Sequence, residues 1–102
     1  MTVRTGTFLR PGRLTRPNAV HLRARAVQLT RNTIMPWHST QERQELLLVI
    51  TGAVRLQLKH ARRIRTISLP EGRYALMPPH TWHQVLNASP RLARYVYMTA
   101  PG

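Results

Sequence analysis

Apolar and polar residues alternate along much of the chain with the period of two that is typical of β-strands. The clearest case is the segment 54–59, in which Val54, Leu56 and Leu58 alternate with polar side chains. This pattern predicts a strand with one buried face and one solvent-exposed face. The preceding segment, 46–50, is apolar at every position, which predicts a strand covered on both faces. No segment has the 3.6-residue period of an amphipathic helix.

Further short strands are expected between turns rich in glycine, proline and asparagine. The predicted strands are 21–29, 33–37, 45–51, 54–59, 64–69, 73–77, 82–86 and 92–99. Strands 45–51 and 54–59 are expected to pair as a hairpin that turns at Gly52. Short strands at this spacing are typical of a β-sandwich or barrel. We therefore predict an irregular N-terminal arm, residues 1–20, followed by one all-β domain, residues 21–102.

Chain length and composition limit the classes of function. A chain of 102 residues is long enough for one domain. It contains no cysteine, which excludes disulfides, thiolate metal sites and thiol catalysis. No apolar run approaches the roughly 20 residues of a membrane span, and the N-terminus lacks the apolar core of a secretory signal. We expect a cytoplasmic protein with no membrane partner.

The charge balance is strongly basic. Fifteen arginines and one lysine face three glutamates and no aspartate, which gives a formal net charge of +13. Such a charge would suit a nucleic acid or another polyanion, and an arginine-rich N-terminus is also a feature of transit peptides. A compositional preference for arginine over lysine is the third explanation. We favour the third, because the arginines are scattered and the sequence reveals no basic helix or aromatic stacking platform.

Two histidines and one glutamate form the candidate chemistry of the chain. His38 and Glu45 are seven residues apart, and His83 lies in a second segment, Pro78–His83, rich in proline and histidine. Two imidazoles and a carboxylate are a donor set for a divalent metal ion, with coordination positions left for water or substrate. The alternatives are a metal-free histidine in the barrel and a buried glutamate that pairs with an arginine.

Both segments resemble the two signature motifs of the cupin superfamily, in its small single-domain form. The first motif, Gly-x5-His-x-His-x3–4-Glu-x6-Gly, is matched at Asn32, His38, Thr40, Glu45 and Gly52. The second motif, Gly-x5-Pro-x-Gly-x2-His-x3-Asn, is matched at Gly72, Pro78, His80, His83 and Asn87. The spacing is kept throughout residues 32–87. Three positions depart from the family pattern: Asn32, Thr40 and His80.

The resemblance implies an antiparallel double-sheet jelly-roll β-barrel. It also implies a divalent metal ion (Zn, Ni, Fe or Mn) held by His38, Glu45 and His83. Thr40 stands where the family has a histidine that is usually a fourth ligand, so we expect the metal to be weakly bound or absent. The other residues expected beside the metal or at the mouth of its pocket are Thr40, His80 and Trp82.

Several functions and partners remain open at this stage. The resemblance implies a protein that binds or transforms a small molecule, which the basic charge suggests is anionic; an enzyme of this kind would be an oxygenase or isomerase. The first alternative is a metal-free ligand-binding protein, and the second, less favoured, is a nucleic-acid-binding protein. We also expect a homodimer, because the segment 46–50 is apolar on both faces and the arm carries apolar residues.

Overall fold

The computed structural model describes residues 5–102, which form nine β-strands and no helix. The strands are β1 (Gly12–Arg13), β2 (Arg23–Leu29), β3 (Ile34–Ser39), β4 (Arg43–Thr51), β5 (Ala53–His60), β6 (Arg63–Pro70), β7 (Tyr74–Met77), β8 (Trp82–Leu86) and β9 (Ala93–Pro101). Eight of them, β2 to β9, correspond to the predicted strands, and no bound differs by more than two residues. A helix long and apolar enough to cross a membrane is absent from residues 5–102.

The strands form two antiparallel sheets that face each other. Sheet A has the order β1-β2-β9-β4-β7, and sheet B has the order β3-β8-β5-β6. Strands adjacent in space are mostly distant in sequence, as in the pairing of β2 with β9 and of β3 with β8. This arrangement confirms the predicted all-β, double-sheet jelly roll.

Alternate residues of each strand point into the space between the sheets. The largest fully buried apolar side chains are Leu47 of β4, Leu56 of β5, Val85 of β8 and Tyr95 of β9, each at most 2% exposed. Leu47 and Tyr95 come from sheet A, whereas Leu56 and Val85 come from sheet B. The core is therefore the layer between the two sheets, and burial of its apolar area is the main favourable term in folding.

The predicted hairpin between β4 and β5 is wrong. The strands are consecutive, but β4 belongs to sheet A and β5 to sheet B, so the chain crosses between sheets at Gly52. Gly52 has a positive φ of 76°, and a Cβ at this position would lie 2.6 Å from the carbonyl oxygen of Leu92. The local sequence predicts a turn correctly, but the partner of each strand is decided by long-range pairing: β4 pairs with β7 and β9, and β5 pairs with β6 and β8.

The N-terminal arm is joined to the domain by a short piece of regular structure. Its first four residues lie outside the described part of the chain. Gly12 and Arg13 form β1, which pairs with β2 at the edge of sheet A. The side-chain amide of Gln28 also donates a hydrogen bond to the carbonyl of Leu9 at 3.2 Å. The arm therefore extends sheet A and covers part of the edge that β2 would otherwise expose.

Candidate functional site

The strand pair β3–β8 brings the two candidate histidines together. His38 and His83 are direct partners in the register of these strands, although a bulge lies between Met35 and His38. Their imidazole rings have centroids 4.1 Å apart and are tilted by 57°. Both side chains lie on the inward face of sheet B, where His83 is completely buried and His38 is exposed to solvent.

Glu45 reaches the same point from the opposite sheet. It lies near the start of β4, opposite Met77 and Thr99 in the neighbouring strands, and it is buried. Its Oε2 atom is 3.4 Å from Nε2 of His83, which is the single ion-pair contact within residues 5–102. The candidate ligand atoms of His38, Glu45 and His83 all lie within 4.8 Å of one another.

Backbone carbonyls orient both imidazoles in the way that metal ligands require. Nδ1 of His38 is 2.7 Å from the carbonyl oxygen of Pro36, and Nδ1 of His83 is 3.0 Å from that of Thr81. A carbonyl can only accept, so each neutral ring carries its proton on Nδ1 and presents the Nε2 lone pair to the site. Carbonyl partners of this kind commonly fix the orientation of metal-bound histidines.

The donor atoms therefore fit a divalent metal ion. Nε2 of His83 is buried and makes no hydrogen bond, because its contact with Glu45 lacks hydrogen-bonding geometry. A buried polar atom without a partner costs free energy unless something satisfies it. A cation between Nε2 of both histidines and the Glu45 carboxylate would satisfy this atom with donors that Zn, Ni, Fe and Mn accept.

The surroundings of His83 also favour positive charge at this position. Burial by itself lowers the pKa of His83, but the Glu45 carboxylate and the Thr81 carbonyl raise it by more, so the net pKa lies above the ordinary value of 6.5. Burial, followed by the charges of Glu45 and Tyr97, raises the pKa of Tyr95, which therefore remains a neutral phenol. The site thus attracts either a proton or a metal ion, and the two compete for the same Nε2 lone pair.

A small cavity of about 130 Å³ surrounds the three side chains. Its other walls are Met35, Val85, Tyr95 and Tyr97. At roughly 30 Å³ per water molecule, this volume would hold an ion and a few waters or a ligand of a few heavy atoms. The exposed side chain of His38 connects the cavity to solvent. Alternation along β8 predicts that Val85 faces the same way as His83. The sequence does not reveal that Met35 shares this wall with His38, because the bulge between them changes which residues of β3 face inward.

The hydroxyl group of Thr40 joins two segments of backbone and does not line this cavity. Thr40 is buried, and its Oγ1 donates to the carbonyl of Pro78 at 2.9 Å and accepts from the amide of Thr81 at 3.0 Å. Its hydroxyl proton is therefore engaged and unavailable to a metal-bound water. The residue instead fastens the end of β3 to the loop that leads into β8, which carries His83.

His80 and Trp82 also lie away from the cavity. His80 is exposed in the β7–β8 loop with a φ of 61°, and its amide donates to the carbonyl of Gln41 at 2.7 Å. Trp82 precedes the inward-facing His83, so alternation along β8 turns the indole to the outer face of sheet B, where it is 51% exposed. Neither residue therefore lines the cavity around His38, Glu45 and His83 in this structure.

A second cavity, which we call the arginine cleft, adjoins the first. It has a volume of about 370 Å³, and its charged walls are Arg13, Arg16, Arg23 and Arg25. Tyr97 lines both cavities, and Thr99 of the cleft is the register partner of Glu45. No acidic side chain lines the cleft, so its positive charge is uncompensated.

Arg43 extends this positive region toward Glu45. Its guanidinium donates to Oγ1 and the carbonyl oxygen of Thr99, both at 2.9 Å, and to the carbonyl of Val20 at 2.8 Å. Burial and the positive charge of Arg23 lower the pKa of Arg43. The guanidinium groups of Arg43 and Arg23 repel each other, and no carboxylate of the described residues lies between them to offset this repulsion. An anion bound here would therefore be stabilised by both charges.

Solved structures with the same fold include several cupins. A cupin protein from Bacteroides fragilis superposes with a TM-score of 0.79 at 15% identity, over 100% of this chain and 82% of that one. The cupin domain of Schizosaccharomyces pombe Cnp3 gives a TM-score of 0.77 at 12% identity, over 90% of this chain and 60% of that one. An oxalate oxidase gives a TM-score of 0.73 at 14% identity, over 79% of this chain and 42% of that one. At these identities the likeness establishes the fold alone. The chain spans less than two thirds of the length of the latter two structures.

The sequence itself matches a family model. The model described as a cupin domain matches residues 26–99, which include both motif segments and all three candidate ligands. No curated protein sequence matches the chain. The match covers well over half of the chain and agrees with the double-sheet fold. The protein is therefore a member of the cupin family.

Proposed function

We propose that the protein binds a divalent transition-metal ion through Nε2 of His38, Nε2 of His83 and the Glu45 carboxylate. The observation that carries this proposal is the convergence of these donors within 4.8 Å, together with the unpartnered, buried Nε2 of His83. The nitrogen and oxygen donors suit Zn, Ni, Fe or Mn. Three protein ligands would leave at least one coordination position for a small molecule or water.

We further propose that the molecule bound at this site is a small organic anion. The arginine cleft supports this idea, because it offers several guanidinium groups beside the cavity and shares the wall formed by Tyr97. A carboxylate or phosphate could accept bidentate hydrogen bonds from an arginine while another donor atom of the ligand reached the metal. If the protein is an enzyme, the metal would supply Lewis acidity or a platform for oxygen, while the arginines would hold and orient the anion.

Calorimetric titration of chelator-treated protein with Ni²⁺ or Zn²⁺ tests the metal site. We expect one ion per chain for the parent protein. His83→Ala should abolish this binding, because it removes the only fully buried nitrogen donor of the three. His60→Ala is the matched control, since His60 is exposed at the end of β5, and it should bind like the parent. Unchanged binding by His83→Ala would refute the site.

A metal-free small-ligand-binding protein is the second candidate. It is supported by the threonine at position 40, because the histidine that usually supplies a fourth ligand in this family is missing. The contact between Glu45 and His83 also becomes an internal ion pair when no metal is bound and His83 is protonated. Elemental analysis of protein purified without added metal separates the two candidates. Stoichiometric metal supports the first, and binding of a small dicarboxylate that persists unchanged in EDTA supports the second.

A further inference from the structure

The outer face of sheet B carries both tryptophans of the chain. Trp37 and Trp82 line one open depression of about 520 Å³, together with Lys59 and Ala61. We call these four residues the tryptophan platform. Trp82 pairs with Lys59 in the register of β8 and β5, so the ammonium group and the indole start from neighbouring positions. This face is separate from the candidate metal site, because His83 points inward from the same strand.

The polar residues beside the platform keep this face hydrophilic. The next row of the sheet contains Gln84, Gln57 and Thr66, which are linked in a chain of side-chain hydrogen bonds. These amides leave further donor and acceptor positions open to a ligand. A face with exposed aromatic rings next to hydrogen-bonding amides differs from the apolar surface of a permanent protein–protein interface.

The charge on this side of the molecule has a single sign. None of the four strands of sheet B contains an acidic residue. The hairpin formed by β5 and β6 carries five exposed cationic side chains: Arg55, Lys59, Arg62, Arg63 and Arg65. None of these five has a carboxylate partner within 4.0 Å among the described residues, where the only ion pair is that of Glu45 and His83. Arg55 and Lys59 alternate onto the same face as Trp82, whereas Arg63 and Arg65 are register partners of His60 and Leu58 and alternate onto the other face. The outer face therefore presents unneutralised positive charge from Arg55 and Lys59 next to the platform.

We propose that the outer face of sheet B binds single-stranded nucleic acid. Unpaired bases stack on Trp82 and Trp37, while Lys59 and Arg55 of the same face contact phosphates. Aromatic side chains beside a cationic groove are the arrangement by which proteins hold single strands with little sequence preference. A second copy of the chain fits this face less well, since the like charges of two hairpins would repel. The proposal is independent of the metal site and of the small-molecule function.

Tryptophan fluorescence gives a direct test, because every tryptophan of the protein lies on the platform. The probe is a 12-nucleotide oligothymidylate, with a fluorescein label for anisotropy and without it for quenching. We expect binding that quenches tryptophan emission. Trp82→Ala should weaken binding by about tenfold or more, the usual effect of losing a stacking partner, and Trp82→Phe should restore much of the affinity. Tyr74→Ala is the control, because Tyr74 is an aromatic residue even more exposed than Trp82 but lies on sheet A.

The salt dependence separates this site from diffuse attraction to a basic protein. Lys59→Gln and Arg55→Gln should each lower the slope of log affinity against log salt by about 0.7, the value for one lost phosphate contact with a single strand. Arg73→Gln removes the same charge from the turn before β7 and should leave the slope nearly unchanged. Absent quenching, equal weakening by Trp82→Ala and Tyr74→Ala, or equal slopes for all three charge variants would overturn the proposal. So would a dimer, seen by light scattering, that Trp82→Ala dissociates.

Discussion

At the scale of single residues, His83 is the candidate ligand whose side chain is held most firmly by its surroundings. Its ring is fully buried, its Nδ1 contacts the Thr81 carbonyl, and its Nε2 faces Glu45. The motif spacing predicted that His83, His38 and Glu45 would approach one another, and the structure brings them together. The carbonyl partners of the two histidines were not predictable, because they depend on how each strand bends at its end.

The contact between Glu45 and His83 predicts a pH-dependent stability in the absence of metal. Because the folded-state pKa of His83 is raised, its protonation stabilises the fold fully below about pH 6.5, the unfolded value. That contribution is lost as pH rises through the higher folded value. In Glu45→Gln, burial would instead lower the pKa. Between pH 6 and 9 in EDTA, we therefore expect the free energy of unfolding of the parent to fall relative to that of Glu45→Gln.

Urea denaturation at several pH values measures this difference. Glu71→Gln is the control, because Glu71 is exposed in the turn between β6 and β7 and should not alter the pH dependence. Parallel curves for the parent and Glu45→Gln would contradict the prediction. They would mean that the carboxylate does not hold a proton on His83.

At the scale of strands, alternation predicts position well and pairing poorly. The bounds of β5 and β8 follow almost directly from the period of two, since each has one buried face. The same pattern does not predict that β4 pairs with β9 and not with the next strand, β5, because local sequence carries no information about distant partners. The two-residue strand β1 was also missed, since it is too short to show a period and exists only through its pairing with β2.

Gly52 marks the crossing between the sheets and gives a test at this scale. Gly52→Ala combines a positive φ with a Cβ placed 2.6 Å from the Leu92 carbonyl oxygen, so backbone must move. Gly72→Ala has a similar φ of 84° but meets nothing within 4 Å. We expect Gly72→Ala to cost about 1–2 kcal/mol from the strained backbone alone, and Gly52→Ala to cost clearly more. Urea unfolding of both variants checks the order, and equal costs would show that the close approach to Leu92 is easily relieved.

At the scale of the whole molecule, the two outer faces differ in character. Sheet B presents tryptophans among cations, whereas sheet A presents aliphatic side chains. The sequence predicts the total charge and the apolar segment 46–50. It cannot assign either to a face, because the sheet that each strand joins is decided by tertiary pairing. For the same reason, no aromatic stacking platform was evident in the sequence. Trp37 and Trp82 are 45 positions apart and meet only through the pairing of β3 with β8.

The outer face of sheet A is the surface on which we expect a second copy of the chain. Leu46 of β4 is flanked in register by Leu76 of β7 and Met98 of β9, and all three alternate with inward-facing neighbours. Leu76 is 60% exposed and the adjacent Tyr74 is 66% exposed. A continuous apolar patch of this kind is unfavourable in water and is typical of an interface. Self-association of this face would bury it and would explain why β4 is apolar on both sides.

Leu76→Glu tests this homodimer, because a charge at the centre of the patch would have to be buried without a partner. Light scattering at tens of micromolar should give a dimer for the parent protein and a monomer for Leu76→Glu. Ile64→Glu provides the matched control: Ile64 is 57% exposed but belongs to β6 of sheet B, so this variant should remain dimeric. A monomeric parent would refute the dimer. A dimer that Ile64→Glu dissociates and Leu76→Glu does not would move the interface to sheet B, and it would then compete with the proposed nucleic-acid surface.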